Sequence, residues 1–296
     1  GGWIYVNNSE VPVEGEGGAG ALRFDAEGRV VDAYRVLEGT TWNCAGGATP
    51  WGTWLSCEEI EFGQVWECDP MGREPARARP AMGLFRHEMV VADPARQVLY
   101  LTEDEADGLL YRFRPRTWGD LSAGDLDALA VSADDGAMSW VPVAGLGLPG
   151  TPRPRDVAPG ATHFPGGEGI ALDRDILYLS TKYDNRVSRL DLAASQLTIH
   201  REGPLHWGPD NLAVQEATGN LFVCEDGDTM ELALITPEGH VDPFVRFVGH
   251  GSSEVTGVAF DPAGRHLIVN SQRAPTSTPL AGVDALGSTY MISGPF

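Results

Sequence analysis

Leu99-Tyr-Leu-Thr-Glu103 is a short apolar run that ends on a polar residue and a carboxylate. The same grammar appears ahead of it as Trp3-Ile-Tyr-Val-Asn-Asn8 and Thr53-Trp-Leu-Ser-Cys-Glu58. It returns behind it as Leu177-Tyr-Leu-Ser-Thr181, Leu221-Phe-Val-Cys-Glu225 and Leu267-Ile-Val-Asn-Ser271. The six copies lie about 45 residues apart, with one wider gap. Several copies follow a second run: Glu88-Met-Val-Val-Ala, Glu168-Gly-Ile-Ala-Leu, Asn211-Leu-Ala-Val or Gly257-Val-Ala-Phe, each joined to its partner by a turn holding Asp, Pro or Gly. In the C-terminal half a third run such as Arg186-Val-Ser-Arg-Leu-Asp-Leu follows, and a turn such as Pro237-Glu-Gly leads to a fourth. Short apolar runs punctuated in this way are strands, and strand sets recurring at this period are blades. The reading is an all-β, six-bladed β-propeller forming one domain over residues 1–296. The wide gap, about residues 114–160, reads as a loop-rich insertion with one outer strand, Met138-Ser-Trp-Val-Pro-Val. Within it, Leu121-Ser-Ala-Gly-Asp-Leu-Asp-Ala-Leu-Ala reads as a short helix. The C-terminal Ser288-Thr-Tyr-Met-Ile-Ser reads as a strand that would join Trp3–Asn8 and close the ring.

Composition narrows the functional classes. The 296 residues carry 42 Asp and Glu against 21 Lys and Arg, a net charge of −21, and Lys182 is the single lysine. A chain this acidic repels the phosphates of nucleic acids and anionic lipids, so neither is an expected partner. With 42% hydrophobic residues it is not a disordered chain. No uncharged apolar window is long enough to span a membrane. The chain opens at Gly1 directly into a strand-like run, which leaves room for a targeting segment ahead of it. Cys44, Cys57, Cys68 and Cys224 are too few for a disulfide scaffold. Cys57 and Cys68 lie on consecutive strand-like runs, where either one cross-strand bridge or two buried thiols would fit.

In a propeller the strand ends at one mouth of the channel converge, one set from each blade. The repeats place Asn8, Glu58 or Glu59, Glu103, Thr181, Glu225 or Asp226, and Ser271 there. The starts of the preceding strands add Cys44, Glu88, Glu168, and Asp210 or Asn211. A single Glu at a strand end more often caps it and faces water. A set recurring at one structural position is different, because like charges at close range do not all ionise without a compensating cation. Many hard oxygen donors favour calcium, and one thiolate among them favours a transition metal such as iron or zinc. His87 and His163 lie beside this ring, where each is either a structural, hydrogen-bonded histidine, the commoner case, or a proton carrier. Nucleophile-elbow, P-loop and dinucleotide-binding patterns are not apparent.

The stretch Asn43-Cys-Ala-Gly-Gly-Ala-Thr-Pro-Trp-Gly-Thr-Trp-Leu-Ser-Cys-Glu-Glu59 resembles the signature of the PhoX family of alkaline phosphatases. Gly83-Leu-Phe-Arg-His-Glu88, Leu99-Tyr-Leu-Thr-Glu-Asp104, Glu168-Gly-Ile and Ile292-Ser-Gly-Pro-Phe296 follow in the family's order, and Asn8-Ser-Glu10 is similar to its Asn-His-Glu. The resemblance implies a six-bladed propeller and a secreted or periplasmic phosphomonoesterase, exported folded by the twin-arginine route. It implies Fe3+ and Ca2+ around a bridging oxygen. By the same resemblance Cys44 is the thiolate ligand of iron, and Glu59, with Glu58 as the alternative, is an acidic ligand. Glu103 and Glu168 would bind iron and calcium, and Glu225 and Asp226 fall at a late acidic position. Glu59, Glu103 and Glu168 are thus the expected catalytic carboxylates, and Asn8 and Lys182 the expected substrate contacts. The chain departs from the family in being shorter, in having Gly166-Gly167-Glu168 where Arg-Pro-Glu is usual, and in reading Asn270-Ser-Gln-Arg273-Ala near its end. The expectation is a monomeric metal-dependent phosphatase acting on a small phosphate ester. A calcium lactonase or related ester hydrolase, and a propeller whose metals only tie blades together, are the alternatives.

Overall fold

The computed structural model describes residues 2–203, 208–227, 229–251, 253–273 and 287–296. Six antiparallel sheets are the six blades of a β-propeller, and the chain divides into two compact units, Gly1–Gly167 and Glu168–Phe296. In the first unit, blade one is β1 (Trp3–Ser9), β2 (Gly17–Phe24) and β3 (Val30–Thr40). Blade two is β4 (Asn43–Ala48), β5 (Trp54–Glu58), β6 (Val65–Cys68) and β7 (Arg77–Ala78). Blade three is β8 (His87–Asp93), β9 (Val98–Glu103), β10 (Leu110–Thr117), β11 (Asp120–Val131) and β12 (Met138–Pro142). In the second unit, blade four is β13 (Gly167–Asp173), β14 (Ile176–Thr181), β15 (Arg186–Asp191) and β16 (Gln196–Glu202). Blade five is β17 (Pro209–Gln215), β18 (Asn220–Glu225), β19 (Glu231–Ile235) and β20 (Val241–Arg246); blade six is β21 (Val255–Phe260), β22 (His266–Ser271) and β23 (Ser288–Ser293).

Five of the six repeated runs are second strands of their blades: β5, β9, β14, β18 and β22. These strands are covered on both faces, so they read as continuous apolar runs instead of alternating ones. All six residues of β9 are buried. Leu55, Leu99, Leu101, Tyr111 and Phe113 pack into the main core of the first unit. In the second unit Leu221 and Val223 join one cluster and Phe222 and Cys224 another, one from each face of β18. The sixth run, β1, is instead an edge strand paired to β2.

Two expectations are corrected and one open alternative is decided. The segment expected to be a helix is β11, because Ala128 and Leu126 pair across from Tyr111 and Phe113 of β10. That long-range ladder buries Leu121, Leu126, Ala128 and Leu129, which no isolated two-turn helix would achieve. The insertion therefore contributes two strands, β11 and β12, followed by a loop region that holds the short 3-10 helix Pro154–Val157. Secondly, β23 pairs with β22 and β1 with β2, so the C-terminal strand completes blade six and not the N-terminal blade. Thirdly, Cys57 lies opposite Val65 and Cys68 opposite Trp54, and the two thiols enter different cores. All four cysteines are free thiols.

Candidate metal centre

A one-residue irregularity recurs in the first strands of four blades. In β4 the pair Asn43↔Glu58 is followed by Gly46↔Ser56, so Cys44 and Ala45 sit in a bulge. In β8 the pairs His87↔Glu103 and Val90↔Leu101 leave Glu88 and Met89 in the same place. In β17 it is Asp210 and Asn211, and in β21 Gly257 and Val258. A bulge inserts one residue and re-aims the side chain there. The two glycines after Cys44 serve close approach. A Cβ on Gly46 would meet the Leu55 carbonyl oxygen at 2.0 Å, and one on Gly47 the Val90 carbonyl oxygen at 2.0 Å.

In the first unit Glu10, Cys44 and Glu59 each offer one ligand atom, all within 4.8 Å of one another. The Cys44 thiol donates to Glu88 Oε1 at 3.1 Å. Arg86 Nη2 donates to Glu59 Oε1 at 2.6 Å. Of the alternatives Glu58 and Glu59, it is thus Glu59 that enters the group. Glu58 accepts from the Thr41 and Gln64 N–H groups at 3.3 Å and from Trp66 Nε1 at 2.8 Å, and so ties β5 to its surroundings. Asn8 braces the same loop: its Nδ2 donates to the Ala45 carbonyl at 2.6 Å, and its Oδ1 accepts from Trp54 Nε1 at 3.0 Å.

Glu103 lies elsewhere in this unit, wholly buried. Its Oε1 is ion-paired with Arg155, and its Oε2 accepts from Tyr111 Oη at 2.8 Å and from the Leu109 N–H at 3.2 Å. Arg155 also reaches Glu105 at 3.3 Å and Asp107 at 3.1 Å. Burial raises the Glu103 pKa, and Arg155, Tyr111 and Leu109 oppose that rise without cancelling it. The Gly166 N–H donates to the Glu105 carbonyl at 2.9 Å, which puts the backbone of that residue beside the Arg155 network. His87 is fully buried with Nε2 against the Gly83 carbonyl at 3.0 Å, and burial lowers its pKa to about 4. It is therefore neutral at pH 7, a structural histidine. His163 is likewise held, its Nδ1 at 2.7 Å from the Asp107 carbonyl.

The second unit has its own acidic group. Glu168 and Asp210 offer oxygens within 4.8 Å, and Lys182 Nζ lies 2.5 Å from Glu168 Oε1. Asn211, the alternative to Asp210, is occupied structurally: its Oδ1 accepts from Thr256 Oγ1 at 2.8 Å and from the Gly257 N–H at 2.9 Å. Asp210 hydrogen-bonds the partly buried Glu254 side chain to side chain; desolvation raises the Glu254 pKa and Asp226 adds to it, against the pull of that hydrogen bond, Arg273 and Lys182. Glu225 accepts from Thr229 Oγ1 at 2.7 Å, Thr181 donates to Asp184 at 2.5 Å, and Ser271 bonds His250 and Ser253 at 2.8 and 2.7 Å. Asp226 is exposed.

Glu10, Glu254, Arg86 and Arg155 were not among the residues singled out in the sequence. Glu10 ends the family-like Asn8-Ser-Glu10, and Glu254 directly precedes β21, three residues before the bulge at Gly257. Arg86 lies within the family-like run Gly83-Leu-Phe-Arg-His-Glu88, and nothing local marked Arg155. Chemically, a thiol and two carboxylates at this spacing are a mixed soft and hard donor set that a cation would relieve of mutual repulsion.

Pseudomonas fluorescens PhoX in complex with vanadate, a transition state analogue, has a similar structure: TM-score 0.78 and 18% identity, covering 99% of this chain and 86% of that one. A nidogen/laminin complex gives TM-score 0.61 at 11% identity over 91% of this chain and 86% of that one. A putative gluconolactonase gives 0.55 at 13% over 99% and 89%. At such identities the likeness speaks to fold alone, and the three differ in what they do. No curated protein matches the sequence. The family model for alkaline phosphatase PhoX matches residues 17–62, 60–180 and 191–275. The chain belongs to the PhoX family of alkaline phosphatases, and it is a phosphatase.

Proposed function

We propose that this phosphatase hydrolyses phosphate monoesters with the help of metal ions, and that Glu10, Cys44 and Glu59 hold one of them. The observation that carries this is the grouping of one thiol and two carboxylates within 4.8 Å. The donor set fits iron at Cys44, with Glu168 and Asp210 as oxygen donors suited to calcium. Bound metal would supply Lewis-acid charge for phosphate and an acidified water as nucleophile.

The chain's own residues do the rest. Cys44 would give up its proton on holding a metal, and Glu88 Oε1, 3.1 Å from the sulfur, is placed to receive it. Arg86 is fixed by Glu59 and keeps about a third of its side chain accessible, so its planar fork is the charge offered to a phosphate in place of an arginine at residue 166. Lys182 balances Glu168. Asn8 and Glu58 hold the strands that carry Glu10, Cys44 and Glu59, and Glu103 fixes the Arg155 loop. Family membership also supports secretion or periplasmic residence; among the described residues no helix is long and apolar enough to cross a membrane.

Elemental analysis of protein purified without chelator, beside turnover of a phosphomonoester, tests the reading. Iron and calcium are expected, together with a visible thiolate-to-iron band that Cys44→Ala removes and Cys224→Ala keeps. Metal-free, folded and active protein overturns it. Turnover of lactones with calcium alone, unaffected by Cys44→Ser, favours an ester hydrolase instead.

A further inference from the structure

Trp42 has φ of 49°, in the left-handed region that bulky residues seldom occupy. It lies in the two-residue link between β3 and β4, directly before Asn43 and Cys44. Both of its backbone polar groups are engaged. Its N–H donates to the Val11 carbonyl at 3.0 Å, and its carbonyl accepts the Glu59 N–H at 2.8 Å. Val11 adjoins Glu10, which is itself held in a tight turn by the Val11 N–H donating to the Ser9 carbonyl at 3.0 Å. The two peptide units flanking the Trp42 Cα thus touch the segments of Glu10 and Glu59, and the chain carries on from them to Cys44. Residues distant in sequence, at 10, 44 and 59, meet through the backbone of residue 42.

We infer that Trp42 is a positioning residue: its left-handed backbone sets the spacing of Glu10, Cys44 and Glu59 and so the affinity of that group for a metal. The inference rests on the metal-centre reading above. A helical or extended conformation at residue 42 would rotate its N–H away from Val11 or its carbonyl away from Glu59. The ligands would then be in place only for the fraction of molecules that keep the left-handed form, and apparent affinity falls by that fraction. Strain at an unusual φ persists where the surroundings over-determine it, and such residues cluster at functional sites.

The test is a Co2+ titration of full-length apoprotein, followed by the thiolate charge-transfer band of Cys44, in three forms: parent, Trp42→Gly and Trp42→Val. Glycine adopts positive φ without cost and keeps both hydrogen bonds, so it should bind Co2+ within about threefold of the parent or tighter, with the same band. Valine is disfavoured there and should weaken binding about tenfold or more. Thermal unfolding of the apoproteins separates a global defect from a local one. If Trp42→Val does not fold, Trp42→Ala carries the comparison and is expected between the other two. Valine or alanine binding as tightly as the parent overturns the inference. So does glycine weakening as much as valine, which would put the effect in the indole and not in the backbone. A parent that binds no Co2+ through Cys44 sinks the metal-centre reading itself, and is recognised as such because all three forms then behave alike.

Discussion

Replacing Arg155 by methionine removes a charge from a buried network while keeping most of the side-chain volume. Glu103 is 0% exposed, and its Oε1 faces that guanidinium. Without the arginine, Glu103 has two options. Staying ionised breaks a buried pair, which costs about 3–5 kcal/mol. Taking up a proton costs about 1.4 kcal/mol for each pH unit above its ordinary pKa near 4.3, or about 3.7 kcal/mol at pH 7. The cheaper route sets the ceiling, and the parent's raised Glu103 pKa already carries part of the cost, so the variant should lose up to about 3.7 kcal/mol at pH 7 and less than about 1.6 kcal/mol at pH 5.5. Losing the contacts to the partly exposed Glu105 and Asp107 adds little. The sign follows from linkage. The Glu103 pKa is already raised in the folded protein and rises further in the variant. Stability from a raised carboxylate pKa is present below the unfolded pKa and is lost as pH climbs to the folded one; the parent loses its share first, so the deficit of the variant opens above the parent's own raised pKa and grows with pH from there. Urea unfolding at both pH values measures it. The double variant Arg155→Met/Glu103→Gln should lose less than Arg155→Met alone, since no buried charge is left behind. A loss under about 1 kcal/mol at pH 7, or one that is the same at both pH values, would refute this account of the network.

Three further outcomes are expected. In the folded protein only Cys44 should react readily with a thiol reagent, with Cys57, Cys68 and Cys224 reacting after denaturation, and reductant should leave the melting temperature unchanged; a reductant-sensitive melt would contradict the free-thiol assignment. Gly46→Ala should cost about 1–3 kcal/mol because the Leu55 carbonyl must move, whereas Gly20→Ala, with its nearest neighbour at 3.7 Å, should be tolerated; equal stabilities by thermal melt would dispose of the close-approach argument. Burial works against the charge of Asp261, but the N–H groups of His266 and Arg265 and the His266 ring outweigh it and lower the pKa. Asp261→Asn should therefore cost about 1.5–3 kcal/mol at neutral pH, a gap that is full above about pH 4 and closes as pH falls through the folded pKa; a gap that widens in acid would reverse the sign of the assignment.

The repeat was legible because β5, β9, β14, β18 and β22 are sandwiched on both faces, and a strand in that setting needs an unbroken apolar run whatever its neighbours are. Cys44 and Glu59 came from the repeat and from the resemblance of Asn43–Glu59, and the glycines between them serve the close contacts with Leu55 and Val90. The helix expected within β11 failed for the opposite reason. Leu121, Leu126 and Leu129 suit either period, and only the ladder with β10, absent from any local window, decides between them. Glu103 looked like Glu59 in sequence, yet Arg155, 52 positions away, reaches it from the insertion. The cross-strand bridge failed on register: Cys57 and Cys68 sit on paired strands but not opposite each other.

The recurrent bulge separates what the fold requires from what the chemistry requires. Side chains alternate along a strand, so adding a residue flips everything beyond it unless the bulge absorbs the change. At Cys44–Ala45, Glu88–Met89 and Asp210–Asn211 the ligand-type residue occupies that absorbed position, and the apolar pattern of the strand resumes behind it in register. Blade six supplies the control. Its bulge falls at Gly257–Val258, which carries neither acid nor thiol, and the ladder to β22 still forms on both sides. The bulge is therefore a property of the blade and does not depend on an acidic residue within it. Glu88 and Asp210 are buried carboxyls at positions the fold leaves free to be apolar, and burying such groups carries a desolvation cost. A cost that packing does not demand points to chemistry at those positions, which is the same inference the Cys44 thiol beside Glu88 supports from geometry.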